Sequence, residues 1–118
     1  MENIETRVQK LADGSLDLWE QTEEAVQKLE SANEEILAFM DEENRKERLL
    51  QEVQNLKEAF PDPNYKPPLF GVPVAVKDLF HIQKFETLAG SEFPPGVLTG
   101  EEGKLVRDLK AVGAIVLG

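Results

Sequence analysis

The stretch that decides the fold of this 118-residue chain is Gly71-Val72-Pro73-Val74-Ala75-Val76-Lys77-Asp78. Its apolar run, rich in valine and entered through Gly71 and Pro73, predicts a strand buried on both faces. A proline near the start of a strand removes a donor where the sheet can spare one. Lys77 is then expected at the carboxyl end of a buried strand, the edge where open α/β sheets bind their ligands. A lysine that loses its hydration there becomes a usable base, so Lys77 is the candidate catalytic residue. The alternative is a solvated lysine at a strand end.

A second strand and a connecting helix follow this stretch. Residues 79–100 have little periodicity and contain several turn signals, which indicates a structured loop region. Thr99 or Gly100 is the expected cap of a helix, and its apolar face is expected to hold Leu105, Val106, Leu109 and Val112. Residues 114–117 then predict a second buried strand. Strand, crossover helix and strand form a βαβ unit over residues 71–118, which is expected to be right-handed with parallel strands.

The N-terminal half has a different composition. The first 60 residues contain 16 acidic and 7 basic side chains and no proline, whereas all seven prolines and seven of the eight glycines follow them. Residues 15–60 are therefore predicted to be helical, and residues 61–70 to be a proline-rich linker. The excess of acidic residues is assigned to solvated helix faces.

Local signals divide the helical region. Ser15 is the expected cap of an amphipathic helix that runs to about residue 32, and Trp19 is expected in its apolar stripe and hence in the core. Residues 36–40 are ambiguous between helix and an extended segment. A further helix is expected to begin near Asp41 and Asn44 and to end at Pro61.

Composition also excludes several classes of function. The net charge of −10 argues against nucleic acid and anionic membrane as partners, because both need basic surface. The chain has no cysteine and one histidine, so disulfides, thiol nucleophiles and multi-histidine metal sites are excluded. No cofactor is expected. The acidic N-terminus has no apolar run that predicts a signal peptide or a membrane span, and the lack of cysteine fits a cytoplasmic location.

The predicted elements do not complete a sheet domain. Two buried strands need further strands at their outer edges and packing on both faces of the sheet, which the predicted helices alone do not supply. The fold class expected is α/β, and the chain is expected to be an incomplete domain, a fragment of a larger protein.

Three motifs, in order and spacing, are similar to those of a known family. The chain resembles the N-terminal part of an amidase signature family enzyme from about Ser15 to Gly118, as one part of a single amidase domain. The motifs that support the resemblance are residues 71–78, Thr87-Leu88-Ala89-Gly90-Ser91 and Gly113-Ala114-Ile115-Val116-Leu117-Gly118. The resemblance implies a mixed sheet flanked by helices, of which this chain holds helices and a βαβ unit.

The resemblance also implies hydrolysis of carboxamide bonds by a Ser-cisSer-Lys triad in an intact parent, with a small-molecule amide as substrate. Lys77 matches the triad base, which takes the nucleophile's proton by way of the cis-serine. The two serines of the triad belong to a Gly/Ser-rich segment that this chain lacks, so the chain alone is expected to be inactive. For other partners the resemblance leaves open a homodimer of the full-length enzyme.

Three residues near Lys77 invite other roles. Ser91 matches a position that is not the nucleophile, so a turn or packing role is expected. Asp78 is expected to accept backbone hydrogen bonds rather than to pair with Lys77, since adjacent strand residues point to opposite faces. His81 is expected to be a surface or loop histidine.

Two hypotheses remain open at the level of sequence. The first is a fragment of an amide hydrolase. Leu79 and Phe80 after Lys77-Asp78 favour the general amidases and the allophanate- and urea-degrading branch over the tRNA-dependent amidotransferases of the family, which usually have asparagine there. The second is a non-catalytic acidic helical interaction protein or pseudoenzyme fragment, which the missing nucleophile favours.

Overall fold

Four helices and two short strands make up the computed structural model, which describes residues 2–94 and 96–118. In chain order the elements are α1 (Ile4–Asp13), α2 (Leu18–Ile36), α3 (Arg45–Ala59), β1 (Pro73–Val74), α4 (Lys104–Ala111) and β2 (Ile115–Val116). No helix in this described part is long and apolar enough to cross a membrane.

The first two helices begin at side-chain caps. Asn3 accepts the amide of Thr6 at 2.8 Å at the start of α1, and Asp17 accepts the amide of Glu20 at 2.9 Å at the start of α2. The prediction that Ser15 caps α2 is therefore wrong, because the Ser15 hydroxyl bonds back to Asp13 and the chain makes one more turn before the helix. Trp19 packs against the core as predicted.

The ambiguous segment, residues 36–40, is not helical after its first residue. The helix continues to Ile36, and Leu37 ends it in the left-handed conformation with φ of 49°. Asn44 then stands at the N-cap of α3, near the predicted start, although its side chain makes no capping hydrogen bond. The buried stripe of α3 contains Leu49 and Val53, and the helix ends at Ala59, before Pro61.

The last helix begins later than its sequence signals predict. Gly103 is the N-cap of α4, not Thr99 or Gly100. Glu102 lies outside the helix, where its carboxylate accepts the amide of Gln83 at 2.8 Å and pairs with Lys110 at 2.6 Å. Leu105, predicted on the apolar face, is 57% exposed, so Val106 is the buried residue of this helix.

The two strands pair in parallel, as the βαβ prediction requires. Pro73 lies opposite Ile115 and Val74 opposite Val116. The amides of Ile115 and Leu117 donate to Val72 and Val74 at 2.9 and 2.8 Å. The strands are shorter than the apolar runs suggest, because only two residues of each run enter the ladder.

The sheet lies between two apolar clusters. On one face Ile115 packs with Phe70 and with residues of α1, α2 and α3, including Leu49 and Val53. On the other face Val116 and Val74 pack with Val106 of α4 and with Ile82. Strand β2 is thus buried on both faces, whereas β1 is only half-buried, so the prediction of a fully buried first strand is wrong for the described chain. The physical reason is that α3 packs on β2, whose two residues each join one of the apolar clusters, whereas only Val74 of β1 packs against a cluster.

Candidate active site

Lys77 follows β1 at the carboxyl end of the sheet, as its sequence position predicts. The amide of Val76 donates to Gly118 at 2.9 Å, so the pairing with the second strand continues up to the residue before Lys77. The carbonyl of Lys77 accepts the amides of Leu79 at 2.7 Å and Phe80 at 3.2 Å, which closes a turn directly after it. The backbone of Lys77 is therefore fixed between a strand and a turn.

The side chain of Lys77 is exposed, contrary to the expectation of a buried lysine. It makes no ion pair with any residue among 2–94 and 96–118. The described residues therefore neither cover this side chain nor pair with it. Lys77 thus lies at the expected end of the strand and is open to solvent in the described chain.

Asp78 accepts backbone hydrogen bonds, as predicted. Its carboxylate accepts the amide of Leu88 at 3.1 and 3.2 Å and the amide of Ala89 at 3.1 Å. The donating amides lie ten and eleven residues along the chain rather than in the turn that directly follows Asp78. Both carboxylate oxygens of Asp78 thus accept amides from the Thr87–Ser91 motif.

His81 and Ser91 both have local structural roles. Nδ1 of the half-buried His81 lies 2.9 Å from Oγ1 of Thr87, which is buried. The amide of Ser91 donates to Leu88 at 2.9 Å, and its hydroxyl oxygen accepts the amide of Phe93 at 3.3 Å. These contacts agree with a loop histidine and a turn serine.

The carboxyl end of β2 is held by an arginine that the sequence reasoning missed. Arg48, on α3, donates to the carbonyls of Val116 at 2.8 Å and Leu117 at 3.2 Å. It also pairs with Glu42 and, at 3.1 Å, with Glu52, and its guanidinium lies 4.5 Å from the centre of the Phe85 ring. The side chain is only 6% exposed.

A sequence signal for this buried arginine network exists. Arg45, Leu49 and Val53 are spaced by four residues and so share one face of the helix, which places an arginine on the buried stripe. Glu42 pairs with both Arg45 and Arg48. Such a network of paired charges fixes α3 against the sheet end, because breaking one pair leaves the other charge buried.

Two surface clefts occur elsewhere on the chain, and Lys77 lines neither. One, of about 410 Å³, lies between the end of α2 and the start of α3, and its lining is mostly acidic. The other, of about 300 Å³, lies between α3, α4 and the loop at Gln83 and Lys84. Lys77 is exposed on the surface of the described chain, away from both of these clefts.

The parallel strand pair places Lys77 at the carboxyl edge of the sheet, which is the edge at which α/β proteins generally bind their ligands. A family model described as Amidase matches residues 20–118. The chain therefore belongs to the amidase family, and the resemblance seen in the sequence is confirmed.

Curated relatives include components of two kinds of amidase-family enzyme. The A-type component of the glutamyl-tRNA(Gln) amidotransferase of Streptomyces coelicolor is 28% identical over 109 residues, which cover 92% of this chain and 22% of that protein. AtzE, which is a component of the 1-carboxybiuret hydrolase of Pseudomonas sp. (strain ADP), is 48% identical over 56 residues, which cover 44% of this chain and 12% of that protein. The chain thus spans about a fifth or less of the length of these relatives.

Solved structures support the same fold. One, described as "An unexpected vestigial protein complex reveals the evolutionary origins of an s-triazine catabolic enzyme", matches with a TM-score of 0.81 and 30% identity over 98% of this chain and 25% of that one. An inhibitor-bound form of the complex matches with a TM-score of 0.72 and 33% identity over 91% of this chain and 23% of that one. The α/β fold class predicted from the sequence is confirmed.

Proposed function

We propose that this chain contributes Lys77 as the base of a Ser-cisSer-Lys triad in a longer amidase, which hydrolyses a C–N bond of a small carboxamide. The observation that carries the proposal is the position of Lys77 at the carboxyl end of a parallel strand, inside a segment that matches the family. The chain lacks the segment expected to hold the two serines, so the chain by itself is proposed to be inactive.

The chemistry assigned to Lys77 is proton transfer. A neutral amine takes the proton of the nucleophilic serine through the cis-serine as the serine attacks the carbonyl carbon of the amide. The same proton later passes to the leaving nitrogen, so the lysine is regenerated as the C–N bond breaks. Because Lys77 is exposed in this chain, further residues of the parent have to cover it and remove its hydration before it can act.

The assembly and location are part of the same proposal. The relatives are named as components of multi-chain enzymes and one solved neighbour is described as a complex, which supports a parent that works in an oligomer. A homodimer and a cytoplasmic location remain predictions. The preference for the general amidases and the allophanate- and urea-degrading branch also remains a prediction, since the relatives come from both a tRNA-dependent amidotransferase and a 1-carboxybiuret hydrolase.

The test begins with the coding sequence. Reading it past Gly118 is expected to show an in-frame continuation with a glycine- and serine-rich stretch. In the expressed parent, Lys77→Ala is expected to lower the release of ammonia from carboxamides by at least about 10²- to 10⁴-fold, the range typical of a lost general base. The circular dichroism spectrum should stay unchanged, since alanine keeps the backbone carbonyl by which residue 77 accepts the amides of Leu79 and Phe80.

Lys84→Ala is the matched control, because Lys84 is a second exposed lysine of the same loop region. It should retain activity. Near-normal turnover in Lys77→Ala would refute the assignment of the base. A stop codon directly after Gly118, with a soluble and cooperatively folded product, would instead support a non-catalytic interaction protein, a reading that the exposure of Lys77 also favours.

A further inference from the structure

Asp78 connects the candidate base to a tight turn that is distant in sequence. The turn, residues 87–91, is closed by the hydrogen bond from the Ser91 amide to the Leu88 carbonyl at 2.9 Å. Its central residues Ala89 and Gly90 both have positive φ, of 51° and 71°. The amides of Leu88 and Ala89 both donate to the Asp78 carboxylate, at 3.1 to 3.2 Å.

These hydrogen bonds explain an unfavourable backbone conformation. A left-handed alanine is disfavoured and persists only where its surroundings determine it. Consecutive amides that point toward one anion form a small anion-binding concavity, and bonds to an ionised carboxylate are stronger than bonds between neutral groups. In this chain the carboxylate of Asp78 fills that concavity.

We propose that Asp78 is a positioning residue, which holds the 87–91 turn at a fixed place relative to the backbone of Lys77, so that in the parent the turn forms one wall of the amide-binding site. Asp78 directly follows Lys77. The turn closed on the Lys77 carbonyl restricts the backbone between the strand and the Asp78 carboxylate. The position of the 87–91 turn is therefore set relative to the base. This inference rests on the proposed amidase function.

A direct effect of Asp78 on the charge of Lys77 is the competing explanation. The two carboxylate oxygens already accept the amides of Leu88 and Ala89, and Asp78 makes no ion pair with Lys77 in the described chain. Nδ1 of His81 lies 2.9 Å from Oγ1 of Thr87, and this second contact also holds the same loop. Loss of Asp78 should therefore loosen the 87–91 turn without unfolding it.

The first test measures the turn itself and does not depend on activity. In the 118-residue chain, Asp78→Asn is expected to speed hydrogen exchange in peptides that cover residues 87–91 by about 10- to 100-fold, as expected for a lost hydrogen bond to a charged group. Glu86→Gln removes an exposed carboxylate of the same loop and should leave that exchange unchanged. Unchanged exchange in Asp78→Asn would overturn the inference, whatever the parent's activity.

The second test measures catalysis in the parent. Asp78→Asn is expected to lower kcat per active site, counted by burst titration, by about 10- to 100-fold, because a displacement of about 1 Å has this effect. Counting the sites separates misplacement from loss of folded protein. Asp78→Glu keeps the carboxylate and should recover part of kcat, whereas Glu86→Gln should retain all of it.

The outcomes separate this inference from the function on which it rests. Faster exchange together with full kcat per site would overturn the positioning role while the amidase proposal stands. Faster exchange with a lower kcat that Asp78→Glu partly restores would support it. A parent that turns over no carboxamide, with Asp78 and Lys77 intact, would refute the proposed function, and the positioning role would fall with it.

Discussion

Glu52 and Lys77 show how strongly their surroundings decide what two charged side chains can do. Lys77 stands at a strand end in open solvent, whereas Glu52 lies on α3 with its side chain 26% exposed and 3.1 Å from Arg48. Burial raises the pKa of Glu52 above its ordinary value, and the charge of Arg48 opposes that shift. Glu52 is thus partly buried and paired with an arginine, whereas Lys77 is exposed in the described chain.

The raised pKa of Glu52 gives a prediction for stability against pH. A carboxyl whose pKa is higher in the folded chain binds more protons when folded, so it lowers stability as the pH rises from its ordinary pKa to its raised one. The free energy of unfolding of the unsubstituted chain minus that of Glu52→Gln should therefore fall over this interval and stay level above it. The other carboxyls titrate in both proteins, so their contributions cancel in this difference of free energies.

Urea denaturation of the two proteins at a series of pH values from about 4 to about 7 measures this difference. Glu58→Gln changes an exposed carboxyl of the same helix and should give a flat difference. A difference that rises with pH for Glu52→Gln would show instead that the pair with Arg48 outweighs burial.

The connections between elements depend on close backbone approaches. Gly113 follows α4 with φ of 97°, and its carbonyl accepts the amide of Gly71 at 2.9 Å, so the entries to β1 and β2 are joined there. A Cβ atom at Gly113 would lie 2.8 Å from Cα of Phe70 and 2.7 Å from Cγ of Pro67. The first of these is a backbone atom, which cannot rotate away.

Gly113→Ala is expected to destabilise the chain beyond the effect of its positive φ. Left-handed alanine costs roughly 1–2 kcal/mol, and overpacking adds roughly 1–3 kcal/mol. Gly14→Ala is the matched control, because Gly14 has φ of 82° and no atom within 4 Å of its built Cβ. Chemical denaturation should show the larger loss of stability in Gly113→Ala. Equal losses would mean that the contact of Gly113 with Phe70 relaxes freely.

At the scale of the whole molecule, a small sheet leaves apolar surface exposed. Leu79, Phe93 and Val97 are 57%, 55% and 55% exposed in the region that follows Lys77. The sheet edges are partly protected, since Pro73 has no amide to offer on β1 and Arg48 occupies the Val116 carbonyl on β2. Exposed side chains are therefore a stronger cause of association than the strand edges.

The isolated chain is expected to associate as its concentration rises. Light scattering or sedimentation should show a mass above 13.2 kDa that increases with concentration. Leu79→Ser should weaken this association, whereas Ile4→Ser, which changes an equally exposed residue on α1, should not. A monomer with a sharp, reversible melt at all concentrations would contradict the prediction.

Local patterns predicted elements better than their ends. Helices α2, α3 and α4, the parallel pair and the position of Lys77 after β1 follow from periodicity and from Gly and Pro signals, which act within a few residues. The cap at Asp17, the late start of α4 and the exposure of Leu105 did not follow, because each depends on contacts made by distant segments. Glu102, for example, bonds Gln83 and Lys110 instead of the helix start.

The sequence by itself determined the family, the α/β class and the place of Lys77 at the end of the Gly71–Asp78 stretch, because apolar runs and turn residues encode those features locally. Only the tertiary structure decided which groups meet at that place. It brought the Leu88 and Ala89 amides to Asp78, set Arg48 on the end of β2 and left Lys77 in solvent. Burial and hydrogen bonding between distant segments are properties of packing, and a base depends on them as much as on the residue itself.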